Sequence, residues 1–258
     1  MKELVQEWRE SGIQESDTLL IHSSLKRLFK RYLELGIELS TEDILNSFLE
    51  AVGDSGTLLF PAFNFDFTKD VAFDKNNTPS HMGALTEAAR KHPKAVRTGH
   101  PIHSFVVIGA QSDKFKDVNN FSSFGADSPL ALLHKMEGKI AVLNMPEQGS
   151  MTFYHYIEQM LELDHRYHKV FTGKYNNSEG VTELKDYGMF VRHIDRGIKH
   201  SPNPAGELMW NAGLYSGCRP DEGSGLRVVS AKAAYDFMSN IIIKYGAKNI
   251  IYEIEGEK

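Results

Sequence analysis

The sequence is poor in the features that would point to a membrane, a disulfide scaffold or nucleic acid. It has one cysteine, Cys218, so no disulfide can form within the chain. No run approaches the roughly 18 apolar residues that a membrane helix needs, and the charged start, MKELVQEWRESG, differs from a secretory signal. The net charge of −5 comes with no basic stripe, which argues against nucleic acid as a partner. These absences predict a cytoplasmic protein that binds neither membrane nor nucleic acid.

Several nucleotide-binding and hydrolase motifs are also absent. The GSG at residues 223–225 follows neither the Walker nor the Rossmann spacing of glycines. RPDEGSG, residues 219–225, is one residue too long for the Arg-x-x-Gly-x-Gly pyrophosphate loop of the common N-acetyltransferase superfamily. No G-x-S-x-G sequence marks the nucleophile elbow of a serine hydrolase. These protein classes are therefore disfavoured.

Apolar runs alternate with amphipathic segments along the first 160 residues. The predicted strands are 18–25, 56–63, 104–110 and 139–146, and the predicted helices are 2–10, 40–53, 83–92, 128–137 and a segment from Thr152. After about residue 165 the pattern indicates antiparallel strands joined by an Asn-Asn-Ser-Glu-Gly turn, then a helix at 230–246 and a last strand near 249–255. We predict a single α/β domain, residues 1–258. Its central, largely parallel sheet is flanked by helices and carries an antiparallel β addition in the C-terminal part.

One predicted helix, which begins TFYHYIE, places a histidine one turn before a glutamate, just after an apolar strand. Thr152, His155 and Glu158 are spaced by three residues, so neighbours in the series share a helical face. Thr152 is placed to cap the helix. The histidine is either a core residue with a satisfied hydrogen bond or a general base held by a carboxylate. The segment alone does not decide between the two.

Two further segments carry polar groups at element ends. IHSSLKRL, residues 21–28, offers hydroxyl and backbone N–H groups that suit a phosphate or a thioester-bearing cofactor; the alternative is a simple turn with capping serines. FSSFGADSPL, residues 121–130, contains a Ser-Pro helix start whose amino terminus suits an anion; the alternative is ordinary capping.

Four polar residues crowd the entrance to the strand at 104–110: Arg97, His100, His103 and Ser104. His100 and His103 form an H-x-x-H pair, and His165 and His168 repeat that spacing, so metal ligation is one interpretation. The pairs lack the one-turn offset and acidic base of the HExxH helix, and no cysteine pair supports them. Polar groups that line a cleft, or partly exposed loop residues, are the simpler interpretation.

Taken in order, these segments resemble the aminoglycoside 3-N-acetyltransferase family, also called the antibiotic N-acetyltransferase fold. The matching pieces are IHSSLK, VGDSGTLLFPAF, AFDKNNTPSHMGALTEAARKHPKAVRTGHPIHSF, FGADSPLALL and TFYHYIE, which span about residues 17–160. Weaker agreement returns near GLRVVSAKAAYDF. The resemblance implies the family's fold and a CoA-dependent N-acyltransferase that uses acetyl-CoA or another acyl-CoA and no metal.

The resemblance also implies roles for individual residues. The residues expected to bind CoA are His22, Ser23, Ser24, Leu25, Lys26, Arg97 and Ser104, in a CoA-binding part that covers about residues 1–160. The base would be His155, with Glu158 nearby on the amine-binding side. The residues expected to contact the acceptor are Glu158, Asp164, His103 and Tyr154, and the acceptor-binding part would cover about residues 161–258.

The chain departs from the resistance enzymes in two places. They usually carry small or apolar residues where this chain has His103, and MLELDHRYHKVFTGKYNN, residues 160–177, replaces their substrate region. We therefore expect an amino sugar as acceptor, such as a nucleotide-linked one destined for a surface polysaccharide, with an aminoglycoside as the alternative. Two other functions stay open: a metal-dependent hydrolase that uses the H-x-x-H histidines, and a non-catalytic protein that binds CoA or a sugar. A homo-oligomer also stays open.

Overall fold

The computed structural model describes residues 2–256; Met1, Glu257 and Lys258, at the ends of the predicted domain, lie outside the described residues. The helices are α1 Lys2–Glu10, α2 Lys26–Glu34, α3 Thr41–Val52, α4 Ala84–Lys91, α5 Asp113–Lys116, α6 Pro129–Lys135, α7 Phe153–Met160, α8 Asn203–Asn211 and α9 Ala231–Tyr245. The strands are β1 Thr18–Ser23, β2 Thr57–Pro61, β3 Phe73–Asp74, β4 Val96–Arg97, β5 Phe105–Gly109, β6 Lys139–Leu143, β7 Arg166–Asn176, β8 Thr182–Arg192, β9 Ile198–His200, β10 Ser216–Gly217, β11 Leu226–Ser230 and β12 Tyr252–Ile254.

Within residues 2–256, the largest sheet has seven strands in the order β10-β11-β6-β1-β2-β5-β4. β1 pairs in parallel with both β2 and β6, whereas β5 and β11 join antiparallel on the two outer sides. The three central strands are continuous buried runs because helices cover both faces of the sheet. The predicted α/β class, with antiparallel strands added in the C-terminal part, is confirmed.

The helices form two apolar layers, one on each face of the sheet. Trp8, Phe48 and Leu85 bring α1, α3 and α4 into one layer, in which the Trp8 and Phe48 rings stack with centroids 4.7 Å apart. Ile157 of α7 and Met238 of α9 belong to the other layer. This packing fixes α7 against the sheet. No helix in residues 2–256 has the length and apolar character to cross a membrane.

The predicted side-chain caps at three helix starts have different outcomes: two are present and one is not. Ser40 caps α3 in a capping box with Asp43, and its hydroxyl accepts the Asp43 N–H at 3.0 Å. Ser128 caps α6 by accepting a first-turn N–H at 3.3 Å, so FSSFGADSPL contains an ordinary cap. The predicted cap at Thr152 is wrong. Its backbone is already helical, and its hydroxyl lies 3.3 Å from Nε2 of His22 instead.

The sequence pattern did not predict α2, which begins three residues after the end of β1. Its segment, KRLFKRYLE, is dominated by lysine and arginine, and only Leu28 and Tyr32 are buried. Within the described chain, no side chain caps its amino terminus. Its first-turn N–H groups therefore lie at the carboxyl end of β1 without a side-chain acceptor.

A long antiparallel hairpin forms the C-terminal β addition. β7 pairs with β8 from Arg166 opposite Arg192 down to the turn, where the Asn177 side chain accepts two backbone N–H groups at 2.9 Å. β3 joins the far end of β7 in parallel. The predicted antiparallel strands and asparagine-containing turn are confirmed. The hairpin brings two arginines to the side of α7, which the sequence pattern did not predict.

Candidate active site

A cavity of about 870 Å³ is bounded by the loop after β2, by α7 and by both strands of the hairpin. Five phenylalanine rings contribute to its apolar wall: Phe63, Phe65, Phe124, Phe171 and Phe190. Its polar wall includes His103, Thr152, His155, Arg166, Lys169, Arg192, His193 and Asp195. This volume falls in the range of small-molecule sites. His155 therefore lies at a cavity that a substrate can enter, and its side chain is 23% exposed.

Glu158 is the centre of the polar network beside this cavity. Its carboxylate is fully buried and accepts from His165 Nε2 at Oε1 and from Arg166 Nη2 at Oε2, both at 2.8 Å. His155 Nδ1 lies 2.8 Å from the same Oε2. Arg166 also donates to the Phe190 carbonyl at 2.9 Å, which fixes its guanidinium. A single carboxylate thus holds groups from α7 and β7 in place.

The protonation of His155 follows from its neighbours. Burial would raise the pKa of the Glu158 carboxyl, but Arg166 and the hydrogen bonds from His155 and His165 hold that pKa well below its ordinary value. Burial and then the Arg166 charge lower the pKa of His155, against the opposing effect of Glu158. The imidazole is therefore neutral near pH 7. His155 Nδ1 lies 2.8 Å from Glu158 Oε2, which can only accept, and 2.9 Å from Arg166 Nη2, which can only donate. Because the Arg166 guanidinium already has Glu158 and the Phe190 carbonyl as acceptors, we assign the Nδ1 proton to the bond with the ionised carboxylate, which leaves the Nε2 lone pair free.

His200 on β9 is a second histidine beside His155, and sequence reasoning missed it. Its ring centroid lies 4.8 Å from that of His155. Its buried Nδ1 has no hydrogen-bond partner among the described residues. Burial and the nearby His155 lower the pKa of His200 to about 3, so it too is neutral.

His155, Glu158 and His200 form the one group in residues 2–256 whose ligand atoms could hold a metal ion, all within 4.8 Å of one another. Arg166 competes with this use, since its Nη2 lies 2.8 Å from Glu158 Oε2 and 2.9 Å from His155 Nδ1. A divalent cation bound to those atoms would face the guanidinium charge. The arrangement suits a proton acceptor better than a metal, and the absence of a metal cofactor stays a prediction.

The four histidines of the H-x-x-H pairs do not form a common metal site in the part of the chain that the structure describes. His100 and His103 share the Ser123 hydroxyl, at 3.1 and 2.9 Å. His165 is engaged by the α7 carboxylate, and His168 is exposed. These contacts favour the simpler interpretation of the pairs as polar groups that line a cleft or lie partly exposed in loops. His103 lines the cavity, and its assignment to the acceptor stays a prediction.

His22 connects the carboxyl end of β1 to the cavity. Its Nε2 lies 3.3 Å from the Thr152 hydroxyl, and Thr152 lines the cavity. Burial and then the Arg227 charge lower the pKa of His22 to about 3. A neutral His22 can donate through Nε2 to Thr152, which leaves the Thr152 hydroxyl proton available for a group in the cavity.

The rest of the predicted CoA loop lies at the junction of β1 and α2. Ser23 and Ser24 are half-buried and Lys26 is exposed, whereas Leu25 is buried in the core layer of α1 and α3. The hydroxyls and the uncapped first turn of α2 thus lie together at the carboxyl end of β1, in a region we call the β1–α2 edge. This is a suitable place for a phosphate or an amide chain.

Arg97 and Ser104, predicted to bind CoA, have their polar groups engaged inside the protein, and their role at the CoA site stays a prediction. Both are buried, and Arg97 Nε donates to Ser104 Oγ at 3.0 Å. Ser104 Oγ donates to the Ala62 carbonyl at 3.0 Å, and the Arg97 guanidinium donates to the Ala62 and Thr78 carbonyls. Their polar atoms are occupied in fixing the loop after β2, and neither residue lines the cavity.

Two predicted acceptor-binding residues lie away from the cavity. Tyr154 is fully buried in the core, and its hydroxyl donates to Glu147 Oε1. It is adjacent to His155 in sequence, and the helical turn of about 100° per residue points it in a different direction. Asp164 is exposed and does not line the cavity; its carbonyl accepts from Arg196 at 3.4 Å. The acidic residue that does line the cavity is Asp195.

Residues 20–206 match the family described as aminoglycoside 3-N-acetyltransferase. Aminoglycoside N(3)-acetyltransferase VII of Streptomyces paromomycinus is 28% identical over 171 residues, which cover 58% of this chain and 57% of the relative. The chain thus spans a little over half the length of this curated relative. Aminoglycoside acetyltransferase AAC(3)-Xa has the same fold, with a TM-score of 0.79 at 21% identity over 95% of this chain and 92% of that one. AAC-IIIb, solved as a binary complex with CoASH, has a TM-score of 0.78 at 20% identity over 94% and 96%. The chain therefore belongs to the aminoglycoside 3-N-acetyltransferase family.

Proposed function

We propose that the protein transfers an acetyl or other acyl group from acyl-CoA to the amine of an amino sugar or an aminoglycoside, with His155 as general base. Family membership supports the acyl transfer. The single observation that carries the residue assignment is the neutral imidazole of His155, 2.8 Å from a buried carboxylate and partly exposed to the cavity.

The base is matched to its task. An amine near pH 7 is mostly ammonium, and only its neutral form attacks a thioester. A histidine that stays neutral at that pH can accept the proton as the C–N bond forms. Glu158 fixes the ring through Nδ1 and stabilises the imidazolium that forms, while Arg166 keeps Glu158 ionised.

The carboxyl end of β1 supports the CoA side of this proposal. Ser23 and Ser24 offer hydroxyls, the first turn of α2 offers N–H groups, and Lys26 adds an exposed positive charge. AAC-IIIb, which has this fold, binds CoASH. CoA held along this edge would bring its thiol end toward Thr152, the cavity residue that His22 contacts.

The thioester supplies the carbonyl that the amine attacks. Thr152 lies three residues before His155 and also lines the cavity, so we assign its hydroxyl to the developing negative charge on the carbonyl oxygen. His155 Nε2 takes the proton of the attacking nitrogen as the C–N bond forms and returns a proton to sulfur as the C–S bond breaks. Protons and electrons balance without a metal or an oxidant.

Thiol release from acetyl-CoA tests the proposal with a panel of amino sugars and aminoglycosides. His155→Ala should lower kcat by about 10² to 10⁴-fold, the usual contribution of a positioned base. Its KM for acetyl-CoA should stay near the wild-type value because CoA is assigned to the β1–α2 edge. His92→Ala, at the end of α4 and outside the cavity wall, is the matched control and should keep wild-type turnover.

Two results would contradict different parts of the proposal. Wild-type turnover by His155→Ala would remove the base assignment and leave N-acyl transfer standing. Absence of thiol release with every amine and acyl-CoA in the panel would contradict acyl transfer itself.

A further inference from the structure

Arg192, the last residue of β8, lines the cavity with its donors unused. No hydrogen bond or ion pair engages its guanidinium within residues 2–256, although the side chain is half-buried. Arg166 is the residue directly opposite on β7. Its guanidinium forms an ion pair with Glu158 and donates a hydrogen bond to the Phe190 carbonyl. Two neighbouring arginines on one wall therefore differ sharply, since one is neutralised and the other is not.

Arg192 lies directly opposite the guanidinium-bearing Arg166 in the β7–β8 pairing. Like charges directly opposite each other on paired strands repel, and half-burial removes part of the water that would screen them. Glu158 offers Arg192 no acceptor because His155, His165 and Arg166 already occupy its carboxylate. An anion that enters the cavity and accepts two parallel N–H hydrogen bonds would explain an unpaired, half-buried guanidinium on the cavity wall.

The other charges of the cavity wall add to the same field. Lys169 contributes a second positive charge, with its ammonium 5.0 Å from the Phe171 ring centroid. The acidic residue of the wall, Asp195, is 75% exposed and lies 3.4 Å from His193 Nδ1. A polycationic aminoglycoside would place several ammonium groups against this wall. An amine that also carries a negative group would complement it.

We infer that the acceptor is an amino sugar bearing an oxyanion, a phosphate or a carboxylate, which Arg192 binds while the amine meets His155. This inference rests on the proposed function and narrows its substrate class. The cavity of about 870 Å³ has room for such a molecule beside the acyl end of CoA. Arg192 is thus a specificity residue, distinct from the base and from the β1–α2 edge.

The competing source of an oxyanion is CoA itself, whose phosphates could also bind Arg192. The two sources are distinguished by whether Arg192 affects the KM of the acceptor or the KM of acetyl-CoA. If the acceptor supplies the oxyanion, Arg192 governs the KM of the acceptor and leaves that of acetyl-CoA unchanged. If CoA supplies it, the dependence is reversed.

The experiment compares glucosamine, glucosamine 1-phosphate, muramic acid and gentamicin as acceptors by thiol release. The wild-type protein should favour the phosphate or the carboxylate by at least about 10-fold in kcat/KM over glucosamine and over gentamicin. Arg192→Ala should erase that preference by raising the KM of the charged acceptor about 10- to 100-fold. Arg196→Ala is the control: it removes the same charge from an exposed position outside the cavity wall. It should change neither constant, and melting curves should show that both variants fold.

A charge reversal sharpens the test. Arg192→Glu should invert the ranking, so that gentamicin gains relative to glucosamine 1-phosphate. The inference is overturned if wild type prefers gentamicin or plain glucosamine, or if Arg192→Ala raises the KM of acetyl-CoA and leaves the acceptor ranking intact. If no amine is acylated, the proposed function fails. The oxyanion site is then tested by calorimetric binding of glucosamine 1-phosphate, which Arg192→Ala should weaken and Arg196→Ala should not; equal binding by wild type and Arg192→Ala would overturn it.

Discussion

The molecule contains two buried clusters in which a glutamate is paired with an arginine, and both are attached to α7. At the cavity, Glu158 accepts from Arg166, His155 and His165. In the other cluster, Glu147 accepts from Arg227 at 2.9 Å and from the hydroxyl groups of two tyrosines. Each carboxylate is satisfied, so the two clusters differ little as ion pairs.

What separates the clusters is the third partner. Tyr154 and Tyr215 in the Glu147 cluster have pKa values that burial and the neighbouring groups raise well above 10.0, so their hydroxyls keep their protons. Burial and the Arg166 charge lower the pKa of His155 in the Glu158 cluster, so it is a neutral imidazole that can accept a proton, and it lines the cavity. A buried carboxylate–arginine pair is therefore a scaffold in both places. Under the proposed function, only the pair that holds an imidazole at the cavity beside α7 takes part in catalysis.

The largest effect on activity separates the two glutamates. In Glu158→Gln the amide can donate to His155 Nδ1, which favours the tautomer that carries its proton on Nε2 and cannot act as a base. We expect kcat to fall by about 10² to 10⁴-fold. Thiol-release kinetics on the folded fraction measures this, and retention of wild-type kcat would show that Glu158 is not the orienting group.

Glu147→Gln is the matched change in the other cluster. It leaves the Arg227 charge buried without its carboxylate, which should lower the free energy of unfolding by about 3–5 kcal/mol. Below the unfolding transition kcat should remain close to that of wild type, because no group of this cluster accepts a proton from substrate. Urea unfolding and kinetics on the same preparation check both parts. A fall in kcat comparable to that of Glu158→Gln would erase the distinction between the clusters.

Acid should destabilise the fold through histidines that are buried neutral. The folded pKa of His22 is about 3, against 6.5 for the unfolded side chain. Between these values the unfolded state binds a proton that the folded state does not, so the contribution of His22 is complete above pH 6.5 and is lost as pH falls toward 3. From pH 7 to pH 5, His22→Gln should lose about 2 kcal/mol less stability than wild type. The measurement is urea unfolding at the two pH values, with the exposed His168→Gln as control; equal losses in wild type and His22→Gln would contradict the burial argument.

The smallest expected effects are on the KM of acetyl-CoA and on stability. They distinguish Ser24 from Ser104, two serines that the family resemblance assigned to the CoA site. Ser24 is half-buried at the β1–α2 edge, so Ser24→Ala should raise the KM of acetyl-CoA about 2- to 10-fold. Ser104 is bonded to Arg97 and to the Ala62 carbonyl, so Ser104→Ala should cost about 1–3 kcal/mol of stability and leave that KM unchanged. Kinetics and thermal unfolding of both variants decide, and the reverse pattern would return Ser104 to the CoA site.

The parts of the site that depend on local sequence were predictable. TFYHYIE is a helix whose histidine and glutamate meet because residues three apart lie on one face, and IHSSLK is a strand followed by an open edge. The apolar runs of β1, β2 and β6 likewise indicated a covered sheet.

The parts that depend on side-chain direction and on distant elements were not predictable. Arg166 and Arg192 reach α7 only through the pairing and placement of the hairpin, and a single arginine between histidines in DHRYH was the one hint of the first. Arg97 and Ser104 were placed in the correct segment, but a segment does not reveal which of its groups face inward. The same holds for Tyr154, which is adjacent to His155 in sequence but is buried in the core and does not line the cavity.

The central claim is that His155 is neutral, with its proton on Nδ1 toward Glu158 and a free lone pair on Nε2. Side-chain ¹⁵N NMR of the histidine-labelled protein, titrated with pH and assigned with His155→Ala, reports both the tautomer and the pKa. The account predicts an Nδ1–H imidazole at pH 7 that protonates only below pH 6.5. An Nε2–H ring, or a ring that is already charged at pH 7, would contradict it.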